Sequence, residues 1–212
     1  MPTSFLQTTR ISSNRLSTFY QPKGTPVGVS LAAGPDGKPG GSYQFAGHAS
    51  SYIEFPNNGG LDTQRSITML CWIYPQNTDG PIFNYRTSGH WGVHMWMVWG
   101  KLFARFTHRN YAFTNHLITG QTLALNQWHY VGSSYDHNTG IASLWLHGQQ
   151  VVPQNIGADM TLATQDNVRM GVKSGDWRYY RGRITAMQVY NVALTAEQIN
   201  AVKDAGQGML SL

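Results

Sequence analysis

Two stretches of this chain carry side chains suited to recognising a ligand. The first, Gly89 to Trp99, holds three tryptophans and two histidines. Read as a strand, it puts His90, Gly92, His94, Trp96 and Val98 on one face and Trp91, Val93, Met95, Met97 and Trp99 on the other. The second set reads as core, which leaves His94 and Trp96 as an exposed aromatic and polar pair. Phe103 and Arg105 are outward positions of the next strand. A flat aromatic flanked by His, Arg and Asn suits a sugar ring, whose CH groups stack on the π face while its hydroxyls bond to planar side chains. The competing reading is that large strands simply need large core residues.

The second stretch is Asp176-Trp177-Arg178-Tyr179-Tyr180-Arg181-Gly182-Arg183, the densest basic and aromatic run in the sequence. It is expected on a loop that leads into a strand. Asp176, Trp177, Arg178 and Tyr179 are its candidates. An arginine fork there pairs with sulfate or carboxylate. The run Arg105 to Tyr111 adds Arg105, His108, Arg109 and Tyr111, which could also serve as the Tyr/His/Arg group of a polysaccharide lyase.

Catalysis otherwise finds little support. A glycosidase needs two carboxylates facing each other across the scissile bond, and on one strand these must lie two residues apart. The ten acids are dispersed, and Glu54 alone sits well inside an expected strand. Zinc needs three or four converging ligands. His90 and His94 share a face, and His129 can meet His147 across a hairpin, but neither pair has a cysteine or an acid in register. Surface or structural histidines are the expected outcome. Cys71 is the single cysteine, so no intrachain disulfide forms. It lies in the apolar run Ile67 to Ile73, where Cys behaves as a small hydrophobe.

The elements that must carry these residues are strands. Trp128 to Gln149 reads as a hairpin of two half-buried strands closed by Asp136 to Gly140, followed by a tight turn at His147-Gly148. Tyr43 to Phe45 and Ser51 to Phe55 alternate as strands. Ser66 to Tyr74 is apolar at both parities, as a central strand covered on both faces would be. Strands follow through Phe83, Trp91 to Trp99 and Leu102 to Phe106. Thr195-Ala196-Glu197-Gln198 is a capping box opening one short helix, 194–205, with Gly206 as its stop. Residues 1–28 are expected to hold an edge strand or a wrapping segment. At 212 residues, with 23 glycines and 12% aromatics, the chain fits one all-β domain spanning 1–212. Only 12% of residues are charged, and the net charge is +5. The basic residues form no stripe of the kind nucleic acid needs. No segment approaches the ~20 apolar residues of a membrane helix, and no signal peptide is visible at the start.

Four ordered segments resemble laminin G-like domains of the concanavalin A-like jelly-roll group. They are Gly37 to Gly47; Tyr52 to Pro56 with Ser66 to Pro75, including Trp72; Gln127 to Gly148; and Arg181 to Ile184 with Val189 to Thr195. The resemblance implies an antiparallel two-sheet jelly-roll sandwich over about residues 34–202, with Tyr180 as a packing aromatic. It also implies calcium as a possible cofactor. Here, however, Ala46 stands where many relatives have an acid, and Thr185 and Ala186 stand in place of an acidic pair. Calcium needs several hard oxygen ligands, and Asp36, Asp62, Asp79, Asp136, Asp159 and Asp176 remain as isolated loop acids. The expected function is a non-catalytic, lectin-like carbohydrate-binding module of an extracellular protein. Its expected partners are glycans, sulfated or sialylated ones among them. The alternatives are a protein-binding adhesion or matrix domain of a larger secreted chain and a polysaccharide-cleaving enzyme; a tandem-domain or oligomeric context is compatible with each.

Overall fold

The computed structural model describes residues 6–12, 15–19, 23–86 and 90–209, with side chains within 23–85 and 90–205. In chain order the first strands are β1 (Leu6–Ser12), β2 (Arg15–Phe19), β3 (Thr25–Val27), β4 (Val29–Ala32), β5 (Ser42–Ala46), β6 (Tyr52–Phe55), β7 (Ile67–Pro75) and β8 (Gly80–Arg86). They are followed by β9 (Trp91–Val98), β10 (Lys101–Thr107), β11 (Thr114–Ile118), β12 (His129–Tyr135), β13 (Ile141–Leu146), β14 (Gln149–Asn155), β15 (Val168–Met170) and β16 (Arg181–Tyr190). One helix, α1 (Ala196–Met209), ends the described chain.

The strands form two sheets, as expected of a jelly-roll sandwich. The larger has nine strands in the path β14-β13-β12-β7-β16-β1-β2, with β5 and β4 joined to β16. The smaller has seven, in the order β11-β10-β9-β8-β15-β6-β3. Pairing is antiparallel except where β1 runs parallel to β16. The N-terminal segment thus supplies a hairpin to one sheet and, through β3, an edge strand to the other.

The inner faces enclose one core. Ile67, Met69, Cys71 and Ile73 of β7 and Val131 and Tyr135 of β12 meet Val93, Met95 and Met97 of β9 and Leu102, Ala104 and Phe106 of β10. The larger sheet is covered on its far side as well. There Leu70, Trp72, Tyr130, Trp145 and Tyr190 pack with Leu194 and Ile199, which belong to α1 and the turn before it. This explains the apolar residues at both parities of β7. It also corrects one expectation: β12 is buried along its whole length rather than half-buried, because α1 lies over its second face. Burial pushes the Cys71 thiol up, away from the reactive thiolate.

The capping box forms as its sequence specifies. The Thr195 N–H donates to Gln198 Oε1 at 2.9 Å, and the Gln198 N–H donates to Thr195 Oγ1 at 3.3 Å. Gly206 does not stop α1, which continues to Met209. The His147-Gly148 turn has both residues in the left-handed region, at φ 52° and 84°. It is pinned to α1 by Asn200 Nδ2, which donates to the Gly148 carbonyl at 3.1 Å.

Candidate functional site

The outer face of the seven-stranded sheet carries a polar row that crosses every strand. Its register pairs run His116, Arg105, His94, Asn84, Arg169, Glu54 and Thr25 from β11 to β3. A second row places Ile118, Phe103 and Trp96 side by side. Where the two rows run side by side on β9 and β10 the rings form a platform. His94 lies 5.2 Å from Trp91, 5.2 Å from Trp96 and 5.8 Å from Phe103 by ring centroids. Phe103 in turn stacks on His116 at 5.5 Å.

Trp91 belongs to this platform and not to the core, contrary to the alternation of the sequence. Between the pairs Asn84↔His94 and Arg86↔Trp91, β9 uses one residue more than β8. Such a bulge inverts the parity of everything beyond it. Gly92 permits the bulge, because a Cβ there would lie 2.8 Å from the Tyr85 carbonyl oxygen. Val93 then donates its N–H to the Ala163 carbonyl. Trp99 is corrected likewise: it is not core but 75% exposed in the turn after Val98.

His94 and Trp96 face outward as expected, yet each is only 1% exposed. The cause is the segment between β15 and β16, which lies across them. Lys173 Nζ sits 4.3 Å from the centroid of Trp91, and the Arg178 guanidinium sits 4.8 Å from that of Trp96. Arg105 adds a third cation, 5.3 Å from Trp91 and 5.6 Å from Phe103. The two sequence stretches therefore meet in one site, joined by the Arg178–Trp96 contact. Trp177 stands beside it, 80% exposed. Tyr179 is partly buried and gives its carbonyl to Asn77 Nδ2 at 2.8 Å. Tyr180 is fully buried against Phe45, the packing role expected of it.

The charges are unbalanced. Among the described residues Asp176 is the carboxylate hydrogen-bonded to these cations, gripped by Arg178 Nε at 2.9 Å and Nη2 at 2.7 Å, and the charge of Asp79 also acts on Arg178. Burial works to raise its pKa, but the Arg178 hydrogen bonds and charge outweigh it and hold the carboxyl below its ordinary value. Lys173 and Arg105 have no carboxylate partner among the described residues. Burial lowers the pKa of both, Arg178 adds to the effect at Arg105, and Asp176 opposes it at Lys173. Burial, with the Arg105 charge next in size, keeps His94 well below the usual histidine range and therefore neutral. Its Nδ1 lies 3.0 Å from the Gly92 carbonyl, which can only accept, so the proton sits on Nδ1.

Two buried donors on this face, Trp96 Nε1–H and Arg105 Nε–H, find no acceptor among the described residues, and neither does the buried acceptor Asn84 Oδ1 find a donor. A buried polar atom left unpaired costs about 1–3 kcal/mol, and all three lie buried on this face.

The remaining candidates form a separate group, linked to the platform through the chain at His90–Trp91. Arg109 is committed to Asp62 by two hydrogen bonds of 2.8 Å. Thr164 also donates to Asp62 at 2.8 Å. Burial works to raise Asp62, but the Arg109 and Thr164 bonds hold it below its ordinary value. Tyr111 donates to Asp166 Oδ2 at 2.8 Å and stacks on His90 at 5.2 Å. Burial, then the Asp166 bond, pushes its hydroxyl up to about 12. His108 packs edge-on against Phe113. These residues brace a loop and do not point a fork at solvent.

His129 and His147 do meet, Nδ1 to Nε2 at 3.4 Å, with His129 Nε2 2.9 Å from the Ala124 carbonyl. No group of three or more His, Cys, Asp or Glu placed to hold a metal occurs among the described residues. Glu54, well inside β6, is tied up by Arg169 Nε at 2.9 Å. Lys173, Asn84 and Trp91 are the site residues the sequence did not disclose. A Gly following Trp91 in a strand is the one local signal of the bulge.

Comparison with known proteins identifies the family of the fold. The chain belongs to the Concanavalin A-like lectin/glucanases superfamily, whose laminin G family model matches residues 46–200. Among solved structures it is similar to the binding domain of Paraclostridial Mosquitocidal Protein 1, with a TM-score of 0.72 and 14% identity over 95% of this chain and 52% of that one. It is also similar to the Botulinum neurotoxin serotype G binding domain, with a TM-score of 0.67 and 10% identity over 92% and 49% of the two chains. A third is the Botulinum neurotoxin serotype D ligand binding domain, solved in complex with N-acetylneuraminic acid. Its TM-score is 0.68 and its identity 15%, over 92% and 49% of the two chains. The chain thus spans about half the length of these structures, and at such identities the likeness is one of fold. A comparison with the curated proteins finds no match.

Proposed function

We propose that this protein is a non-catalytic, lectin-like recognition module of an extracellular protein and that its ligand is an acidic glycan, sialylated or sulfated. One observation carries the reading. Buried Trp96 Nε1–H and Arg105 Nε–H have no acceptor among the described residues, and they lie beside three cations, Arg105, Lys173 and Arg178, against which only Asp176 and, through its charge on Arg178, Asp79 are set. An acid group offers the missing acceptor oxygens and the missing negative charge together. Trp177, exposed beside Arg178, offers a flat ring for the sugar itself. The serotype D domain solved with N-acetylneuraminic acid supports this reading by analogy of fold.

A non-catalytic role is favoured by the acids: Glu54, Asp62 and Asp176 are each neutralised by an arginine. The test is a glycan array carrying neutral, sialylated and sulfated glycans. Retention of acidic glycans, weakened in an Arg105→Gln variant, is expected. Binding of neutral glycans alone, or of none, would remove the proposal in favour of a protein-binding module. New reducing ends or unsaturated products after incubation with polysaccharides would replace it with an enzyme.

A further inference from the structure

We propose that Trp99 is a second stacking surface for the same glycan, so that the ligand is an oligosaccharide and not a single terminal sugar. The inference rests on the glycan reading above and extends it to a residue outside the platform. Trp99 is 75% exposed and adopts φ 52°, and Gly100 follows it at φ 73°. Two successive residues in the left-handed region make a tight hairpin turn whose first position favours Asn or Gly. A bulky side chain at positive φ is an outlier, and such outliers gather at functional sites. Nothing in the packing explains a tryptophan here, because its ring lies open to solvent.

The turn is nonetheless held firmly, and against the loop that carries Trp177. The Trp99 N–H donates to Asp79 Oδ1 at 3.0 Å, and the Gly100 N–H donates to the Thr78 carbonyl at 2.8 Å. In the same short segment, Asn77 Nδ2 donates both to the Asp79 carbonyl and to the Tyr179 carbonyl, each at 2.8 Å. The Arg181 N–H donates to Asn77 Oδ1 at 3.0 Å. Gly80 lies so close to the backbone of Tyr179 and Tyr180 that a Cβ there would have no room. Residues 77–80 therefore tie both loops together at one end of the sandwich.

The surroundings of Trp99 decide what that surface fits. The residues around its turn, Thr78, Asp79, Lys101 and Thr122, are all polar or charged. A bilayer or an apolar protein partner calls for a contiguous apolar patch. A sugar calls for one flat ring with hydrogen-bonding groups at its edge. An acid group beside Lys173 and Arg178, one sugar on Trp177 and a further sugar on Trp99 would make a run of subsites along one ligand.

Calorimetric titration of the whole chain tests this, with N-acetylneuraminic acid and heparin-derived di-, tetra- and hexasaccharides as probes. Wild type and Trp99→Asn are compared, since Asn removes the ring while suiting the left-handed turn. The expected result is that wild type binds a longer oligosaccharide more tightly than the shortest one it accepts, by about three- to tenfold. Trp99→Asn should lose that gain, bind the shortest ligand as wild type does, and melt no lower. Equal affinity of wild type for every length overturns the inference. So does a Trp99→Asn variant that is unchanged at every length or weakened equally at all of them. If wild type binds none of the probes, the glycan reading itself falls, and this extension falls with it.

Discussion

The Arg178 guanidinium lies 4.8 Å from the centroid of Trp96 while its nitrogens grip Asp176 at 2.7–2.9 Å. One side chain thus ties a loop to a strand face and closes the roof over His94. Stacking a cation on an aromatic face is worth about 0.5–2 kcal/mol, and the fork to Asp176 sets the angle at which that cation arrives. Removal of either partner should loosen the roof more than the fold.

Trp177 and Trp96 should respond oppositely to truncation. Trp177→Ala removes an exposed ring, so its stability should stay within about 0.5 kcal/mol of wild type while glycan affinity drops. Trp96→Ala empties a fully buried site and should cost roughly 3–5 kcal/mol. Denaturant unfolding of the two variants beside binding curves checks both. A Trp177→Ala protein with unchanged affinity would place the ligand elsewhere.

Acid should weaken the fold through two carboxyls. Asp62 and Asp176 both titrate below their ordinary value of 3.8 in the folded chain. Their contribution is therefore complete above that value and is lost as the pH falls through the lowered folded values. Melting temperatures measured from pH 7 down to pH 2.5 should fall most steeply below about pH 4. In Asp62→Asn and Asp176→Asn proteins the same decline should be shallower, from a lower starting point.

His94 should stay neutral through the physiological range, with its proton on Nδ1. Nitrogen-15 spectra between pH 8 and pH 6 should show the Nδ1–H tautomer throughout. A histidinium signal for His94 at pH 6 would contradict the burial and the cationic surroundings on which the platform rests.

Cys71 should be inert in the native protein. Its thiol is buried in the core and its pKa is raised by that burial. Ellman's reagent should find no fast-reacting thiol until denaturant is added, and one afterwards.

The sequence discloses the scaffold better than the site. The parity of β7, the capping box at Thr195 and the His147-Gly148 turn are all local signals, and each forms as the residues dictate. The pairing of His94 and Trp96 with outward Phe103 and Arg105 is likewise a matter of period two, and the register bears it out. What escapes is whatever depends on distant chain. Burial of His94 and Trp96 comes from a loop some eighty residues later, and no periodicity announces it. Trp91 changes faces because of one extra residue in β9, which alternation cannot see. Lys173 reads as a lone loop lysine until the fold sets it over Trp91. Arg109 and Tyr111 look like free recognition groups until Asp62 and Asp166 are found to hold them.

The central claim is that an acid group enters at the platform and takes the unpaired donors there. Side-chain proton–nitrogen spectra recorded while an acidic oligosaccharide is titrated in test it most directly. The Trp96 Nε1–H and Arg105 Nε–H signals should move downfield together, saturating with the same affinity that calorimetry gives. Saturable binding that leaves both signals in place, while resonances of Arg109, Tyr111 or another face shift instead, would contradict it.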